Sequence, residues 1–419
     1  MLESDLWVLF KRVINGSKIN EFLTGQKSSS ITSSTSEGSP TPKSKFNEND
    51  EIQEVEILTI LGRKKLNKSD ISRECDFMLF HSEFQPFSIL ESQNWQLYSI
   101  TLNFAYLVEM PFPSTEYTFK YCDSLSEGLF TEAQRVARID WNTFEAKSDK
   151  WRHFNGKIIA LTTMLHSGSS TLCSLLQQVA NEAPNPDSLI IYSNPDPFTH
   201  LAAFCEMYEK IGVKQTRKML LTTLRYLCKD QKMRQTIIFR LRPSTIRLVP
   251  HLHSIAPHVM HIFMARDQLE HSISLFVNSK SEEQSDLLKL ALLLKNTCNL
   301  LSDIPTICFG EHFAINMVRP KSLIELAVAL ICSSVINYKR QKKFYISPVI
   351  YYENLINETR ENLKSLFELC GLSELRVSDL VVQKAKEIGE KELSIIRELS
   401  NDEKIVIEQT TQLLEFYSD

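Results

Sequence analysis

Residues 157–179 read KIIALTTMLHSGSSTLCSLLQQV. The first seven, Lys157–Thr163, are mostly apolar and β-branched, which predicts a buried strand. From Thr171 onward, leucines and a valine recur at helical spacing, which predicts a helix with one apolar face. The turn between them is short, rich in hydroxyl groups and centred on Gly168. Because a helix N-terminus after a small polar loop presents free backbone N–H groups to an anion, we expect this loop to bind a phosphate.

Strands and helices alternate after this loop. Further apolar strands are predicted at 187–193, 235–240 and 259–265, separated by helical stretches at 198–211, 214–229 and 244–254. This alternation predicts an α/β fold with a central parallel sheet and helices on both faces, in which ligands bind beyond the carboxyl ends of the strands. His166, Asp196, Arg240 and Arg266 all follow such strand ends. We therefore expect these four residues to lie around one site.

The composition excludes several classes of protein. The 419 residues include 43% hydrophobic and 23% charged residues, with a formal net charge of -4, which indicates a soluble folded protein and gives no sign of nucleic-acid binding. The nine cysteines are scattered without a CxxC pair, which argues against a disulfide framework or a metal site. No window approaches the length of a membrane span. We expect a cytoplasmic protein.

The chain divides into five parts by composition. In order, these are an N-terminal helix (1–25), a disordered linker (26–50), an α+β segment (51–149), the α/β domain (150–375) and a C-terminal helical tail (376–419). The linker is dominated by Ser, Thr, Pro and charged residues, so it cannot bury enough apolar surface to fold. In the α+β segment, the apolar spacing of 127–144 predicts a helix. The tail is a candidate homodimer contact or lid.

The loop does not have the pattern of an ATP- or GTP-hydrolysing site. Aligned with G-x-x-x-x-G-K-[ST], the chain has Thr163 in place of the first glycine and Ser169 in place of the lysine. The loop instead resembles the 5′-phosphosulfate-binding loop of the sulfotransferase family, [KR]-S-G-[ST]-[ST]. It stands here as HSGSS, His166 to Ser170.

Two further stretches resemble the same family, in the same order. Arg266 follows a predicted strand and Ser274 comes eight residues later, like the pair that binds the 3′-phosphate of 3′-phosphoadenosine-5′-phosphosulfate (PAPS). Residues 349–355, VIYYENL, resemble the region that closes the fold, and apolar residues continue to Leu372. The resemblance implies a P-loop, sulfotransferase-like fold with PAPS as the sulfate donor. The implied phosphosulfate ligands are Ser167, Gly168, Ser169, Ser170 and Thr171.

The chain departs from the family pattern at the residues expected to carry catalysis. His166 stands where the family has a lysine or arginine. The stretch FRLRP (239–243) lacks the histidine of the cytosolic K-T-H pattern and is closer to the carbohydrate and bacterial branches, which take a base from an S-E-P or E-P loop. Read as S-E-P, the matching loop has Asn194 in place of the glutamate. Read as E-P, it has Asp196 there, whose side chain is one methylene shorter than glutamate. We predict His166 and Asp196 as catalytic residues, with Asp196 the base; a turn-capping role for Asp196 stays open.

Two functions remain open from the sequence. The first is a sulfotransferase that transfers a sulfuryl group from PAPS to a hydroxyl or amine of a small-molecule or glycan acceptor. The second is a nucleotide-binding or scaffold protein that keeps the fold without catalysis, as the residues at His166 and Asn194 would allow. The missing Walker lysine disfavours a nucleotide kinase or hydrolase.

Overall fold

The structure, a computed structural model, describes residues 53–65, 71–207, 212–278, 312–346 and 348–415. Within these residues the strands are β1 (Gln53–Arg63), β2 (Phe77–Pro86), β3 (Trp95–Ile100), β4 (Phe104–Glu109), β5 (Arg135–Asp140), β6 (Lys157–Thr163), β7 (Leu189–Ser193), β8 (Thr236–Arg240), β9 (Met260–Ala265) and β10 (Ile350–Tyr351). The predicted N-terminal helix (1–25) and linker (26–50) lie outside the described residues.

The helices of the described residues alternate with the strands in the central part of the chain and follow one another without strands after β10. They are α1 (Leu125–Glu132), α2 (Trp141–Lys147), α3 (Ser169–Glu182), α4 (Asp196–Met207), α5 (Val213–Leu227), α6 (Val249–Ile255), α7 (Leu269–Asn278), α8 (His312–Val318), α9 (Leu323–Gln341), α10 (Tyr352–Asn357), α11 (Thr359–Leu369), α12 (Asp379–Leu393) and α13 (Asn401–Leu413). None of the helices in the described ranges is long and apolar enough to cross a membrane.

A parallel five-stranded sheet forms the centre of the α/β part, in the order β10-β9-β6-β8-β7. In β6 every residue after Lys157 is buried, as expected for a strand covered by helices on both faces. The predicted α/β fold class is confirmed. Because the strands are parallel, the chain leaves β6, β7, β8 and β9 at the same edge of the sheet, and the residues that follow them come together there.

The N-terminal part adds an antiparallel sheet in the order β2-β1-β5-β4-β3. The prediction of a single helix over 127–144 is wrong. Residues on either side do form α1 and α2, but Arg135–Asp140 between them are a strand that pairs with β1 on one side and β4 on the other. Pairing along both edges outweighs the local helical spacing.

The two sheets share one hydrophobic core. Buried side chains of both belong to a single cluster, among them Ile57 of β1, Leu97 of β3, Ile158 of β6 and Phe239 of β8. Helices α4 and α5 pack between the sheets, against β3. The antiparallel sheet is therefore packed into the same body as the parallel one. At the other end of the chain, α12 packs on α3 and α13 packs on α9.

Candidate anion-binding site

The loop between β6 and α3 turns through two residues with positive φ. His166 has a φ of 55° and Gly168 a φ of 80°. Histidine is among the side chains that tolerate the left-handed region. At Gly168 a Cβ would lie 2.1 Å from Cδ2 of Tyr352, so the ring at the start of α10 packs directly on the loop. Helix α3 then begins at Ser169, with its free N–H groups at the carboxyl edge of the sheet.

A cavity of about 380 Å³ opens at this edge. It is lined by the loop, by residues that follow or end β7, β8 and β9, and by one residue of α12. Its polar lining side chains are those of Thr163, His166, Ser169, Ser170, Thr171, Asn194, Arg240, Arg242, Arg266 and Glu392. Three of these are arginines and one is a carboxylate. The cavity therefore carries an excess of positive charge at a helix N-terminus, which favours an anion.

Arg240 ends β8 and reaches toward the loop. Its Nε donates to Oγ of Ser169 at 3.2 Å, and its Nη1 donates to Oγ of Ser193 at 3.0 Å. Among the described residues no carboxylate lies within 4.0 Å of its guanidinium group. Loss of hydration lowers the pKa of Arg240, yet an arginine stays charged. A dehydrated guanidinium whose hydrogen bonds go to hydroxyl groups lacks a counter-charge in direct contact, and an anion in the cavity would supply one.

The sequence placed Arg240 at a strand end but gave it no role. The available signal was the basic FRLRP stretch. It resembles the carbohydrate and bacterial branches of the sulfotransferase family, which often have a basic residue at this strand end. Arg242 from the same stretch also lines the cavity, but its Nε donates to Oδ1 of Asp196 at 3.0 Å. Only the structure shows that Arg242 has a carboxylate partner and that the side chain of Arg240 bonds to hydroxyl groups.

Arg266 follows β9 and lies at the cavity, with its side chain 2% exposed. Its Nε donates to the carbonyl oxygen of His166 at 3.2 Å, and its Nη2 donates to the carboxylate of Glu392. The guanidinium carbon lies 4.0 Å from the centre of the Tyr352 ring. Arg266, which we predicted as a phosphate ligand, thus lines the cavity, and its guanidinium binds a carboxylate of the chain itself.

Ser274 and Ser167 are not among the lining residues. The hydroxyl of Ser274 is buried on α7, donates to the carbonyl oxygen of Arg397 at 2.9 Å and accepts from the backbone N–H of Arg397 at 3.0 Å. The hydroxyl of Ser167 is buried within the loop and has no hydrogen-bond partner among the described residues. The loop residues Gly168, Ser169, Ser170 and Thr171 do line the cavity.

Asp196 begins α4 and points away from the cavity. Its side chain is 1% exposed; Oδ1 accepts from Arg242, and Oδ2 accepts from the backbone N–H of Ser72 at 2.8 Å. Burial alone would raise the pKa of Asp196, but the charges of Arg242 and Lys65 outweigh it and lower the pKa. Asp196 is a buried ion-pair partner that connects the two sheets. This position does not favour the predicted role of a base.

Asn194, two residues earlier, does face the cavity. Its φ of 54° lies in the left-handed region, where Asn, Asp and His are the enriched non-glycine residues. The backbone therefore gives a local reason for asparagine at the position where the related loop has a glutamate.

His166 lies in the cavity and is neutral at pH 7. Loss of hydration and the charge of Arg266 lower the pKa of its imidazole to about 4. The ring packs edge-on against Phe276, with 5.7 Å between ring centres. His166 thus does not supply the positive charge that a lysine or arginine would bring to this position. It can instead accept a proton or a hydrogen bond.

No family model matches the chain, and no curated protein matches it. Among solved structures, the chain is similar to the crystal structure of a sulfotransferase from Mycobacterium avium. The two are 7% identical, the similarity covers 66% of this chain and 80% of the other, and the TM-score is 0.33. At this level of similarity the alignment assigns no role to any residue of this chain.

Proposed function

We propose that this protein is a PAPS-dependent sulfotransferase that acts on a hydroxyl or amine of a small-molecule or glycan acceptor. The observation that carries the proposal is Arg240. It directs a guanidinium without a carboxylate partner among the described residues at Ser169, the first residue of α3, inside the cavity formed by the HSGSS loop.

The proposal gives each side chain one task. The loop from Gly168 to Thr171 and the N-terminus of α3 hold the 5′-phosphosulfate group through backbone N–H and hydroxyl donors. Arg240 takes the place of the missing loop lysine and stabilises the charge that develops on the leaving phosphate. Arg266 holds the 3′-phosphate, whereas the hydroxyl of Ser274 is bonded to the backbone of Arg397 and lies outside the cavity lining.

In the reaction, the acceptor oxygen or nitrogen bonds to sulfur while the bond from sulfur to the phosphate oxygen breaks. Adenosine 3′,5′-bisphosphate leaves, and the acceptor loses a proton. His166 is the group we assign to receive that proton, because its imidazole is neutral and lines the cavity. Asp196, although predicted as the base, is occupied by Arg242 and Ser72.

The test is calorimetry with adenosine 3′,5′-bisphosphate, together with turnover of labelled PAPS over a panel of acceptors. We expect Arg240→Ala to weaken binding by about 1.5–3 kcal/mol, roughly ten- to a hundredfold, because charge-assisted hydrogen bonds are lost. Arg376→Ala, which removes an exposed arginine outside the cavity, serves as the control and should bind like the wild type. Absence of binding by the wild-type protein would sink the proposal.

A second candidate is a nucleotide-binding protein without transferase activity. The buried ion pair of Asp196 favours it, because it removes the predicted carboxylate base from the cavity. The same experiment separates the two: this candidate requires binding of the bisphosphate with no turnover on any acceptor, and measurable turnover by the wild-type protein contradicts it.

A further inference from the structure

The end of α12 supplies a carboxylate to the anion cavity. Glu392, the penultimate residue of the helix, is the one acidic residue among the described residues that line the cavity. Its carboxylate accepts from Nη2 of Arg266. Just beyond the helix, the backbone of Arg397 satisfies the hydroxyl of Ser274 as both donor and acceptor. One short segment, 392–397, therefore occupies both residues of the expected 3′-phosphate subsite.

The surroundings of Arg266 hold its guanidinium in a fixed position. The Tyr352 ring covers one face at 4.0 Å, and the carbonyl oxygen of His166 accepts from Nε. With Nε bonded to the carbonyl oxygen and Nη2 bonded to Glu392, a phosphate that approaches the Nε/Nη2 edge of the guanidinium meets N–H groups already in use. A phosphate and a carboxylate require the same N–H groups and carry the same sign of charge, so the two compete for Arg266.

The exposures of the two partners show which of them can move. The side chain of Arg266 is 2% exposed, and that of Glu392 is 18% exposed. Glu392 reaches the pair from a helix end, where its carboxylate can turn outward and recover hydration. Arg266 has no such exit, because the loop and Tyr352 enclose it.

We propose that Glu392 is a specificity-determining residue that occupies the 3′-phosphate position on Arg266. A nucleotide with a 3′-phosphate must compete with this carboxylate for Arg266, so the wild-type site discriminates weakly between nucleotides with and without that group. The inference rests on the proposed function, since it takes the loop as the 5′-phosphate subsite.

The experiment compares two ligands in three proteins. Adenosine 3′,5′-bisphosphate and adenosine 5′-monophosphate are titrated by calorimetry into the wild type, Glu392→Gln and Glu390→Gln. We expect Glu392→Gln to raise the preference for the bisphosphate by about tenfold or more, because juxtaposed like charges are costly. Glu390→Gln removes the same charge from an exposed position of α12 outside the cavity and should leave the ratio unchanged.

The outcomes separate this inference from the proposed function. Binding of both ligands with the same ratio in Glu392→Gln and wild type overturns the role of Glu392 but leaves the function standing. If none of the three proteins binds either nucleotide, the proposed function fails. The role of Glu392 is then tested with inorganic sulfate as the anion. Sulfate must raise the melting temperature of Glu392→Gln more than that of the wild type, and equal shifts overturn the inference. If Glu392→Gln does not fold, Glu392→Asp is used instead, because it moves the carboxylate away from Arg266 and keeps the charge. Its preference for the bisphosphate must then exceed that of the wild type, by less than the tenfold expected for Glu392→Gln.

Discussion

At His166, one residue meets two requirements of the loop. It adopts a left-handed backbone conformation with a φ of 55°, and it presents a neutral ring to a positively charged cavity. A lysine at this position would place a fourth positive side chain beside Arg240, Arg242 and Arg266. In the proposed function, the positive charge at the loop comes instead from Arg240, the arginine that ends β8.

The lowered pKa of His166 predicts a loss of stability in acid. In the unfolded chain the imidazole titrates near 6.5, whereas in the folded protein its pKa is about 4. Between these values the unfolded state binds the proton and the folded state does not. The free energy of unfolding is therefore highest above about pH 6.5 and decreases as the pH falls toward 4. From pH 7 to pH 5 this one group should cost about 2 kcal/mol.

Urea unfolding at pH 7 and pH 5 measures this contribution. His166→Asn removes the titrating group and suits the left-handed backbone, so its stability should fall less on acidification than that of the wild type. His153→Asn, at an exposed histidine, should behave like the wild type. An unchanged pH dependence in His166→Asn would contradict the low pKa.

The sequence predicts which residues lie at the cavity where a short stretch of chain determines their position. The loop and Arg266 reach the cavity because a strand end and a turn place them there, and both features are local. Asp196 could not be judged in this way. Its partner Ser72 lies 124 residues earlier, and only tertiary packing brings that backbone N–H to the carboxylate.

Among the elements, α10 and the loop depend on each other most directly. A Cβ at Gly168 would meet Tyr352 at 2.1 Å, and the φ of 80° is strained for any side chain. Gly168→Ala should therefore destabilise the protein by at least about 2 kcal/mol and move α10 from the loop.

Urea unfolding with a double-mutant cycle tests this packing. Gly212→Ala is the control, because nothing lies within 4 Å of its added Cβ and its φ is -61°. Gly212 is the N-cap of α5, so this change should cost only the loss of a favoured cap residue, about 1 kcal/mol or less. Combining Gly168→Ala with Tyr352→Ala removes the clash and should show a favourable coupling of about 0.5–3 kcal/mol. Equal costs for Gly168→Ala and Gly212→Ala would refute the contact.

Element boundaries also show where local pattern is insufficient. The central strands and their helices were predictable because each apolar run has one period and clear breaks. Residues 135–140 carry apolar side chains at spacings that fit a helix. The strands that pair with them, β1 and β4, lie much earlier in the chain, so a local pattern does not reveal the pairing. Strand pairing on both edges decided their structure.

Across the whole molecule, a buried polar cluster joins the antiparallel sheet to α4. Asp196 binds Arg242 and Ser72, and His200 of α4 uses both ring nitrogens, Nδ1 accepting from Ile100 N–H at 3.2 Å and Nε2 bonding to the carbonyl oxygen of Ser72 at 2.6 Å. Together with the shared apolar core, these bonds predict that both sheets unfold in one transition.

Asp196→Ala tests this unity. It removes the buried carboxylate that contacts Arg242 and the backbone N–H of Ser72 and should cost about 3–5 kcal/mol. Asp149→Ala removes an exposed carboxylate paired with Arg225 and should cost about 1 kcal/mol or less. Tryptophan fluorescence, which senses Trp95 and Trp141 beside the antiparallel sheet, and far-ultraviolet circular dichroism should give coincident urea transitions in both variants. Separate transitions, or equal costs, would speak against a single cooperative body.

The contacts of Tyr352 with the loop at Gly168 and of Glu392 with Arg266 have a consequence for synthesis of the chain. The loop, Arg240 and Arg266 leave the ribosome first, while the ring and the carboxylate that finish the cavity follow more than eighty residues after the last of these arginines. During that interval the nascent protein presents arginines without their final neighbours, and maturation of the site waits for its C-terminal contributors.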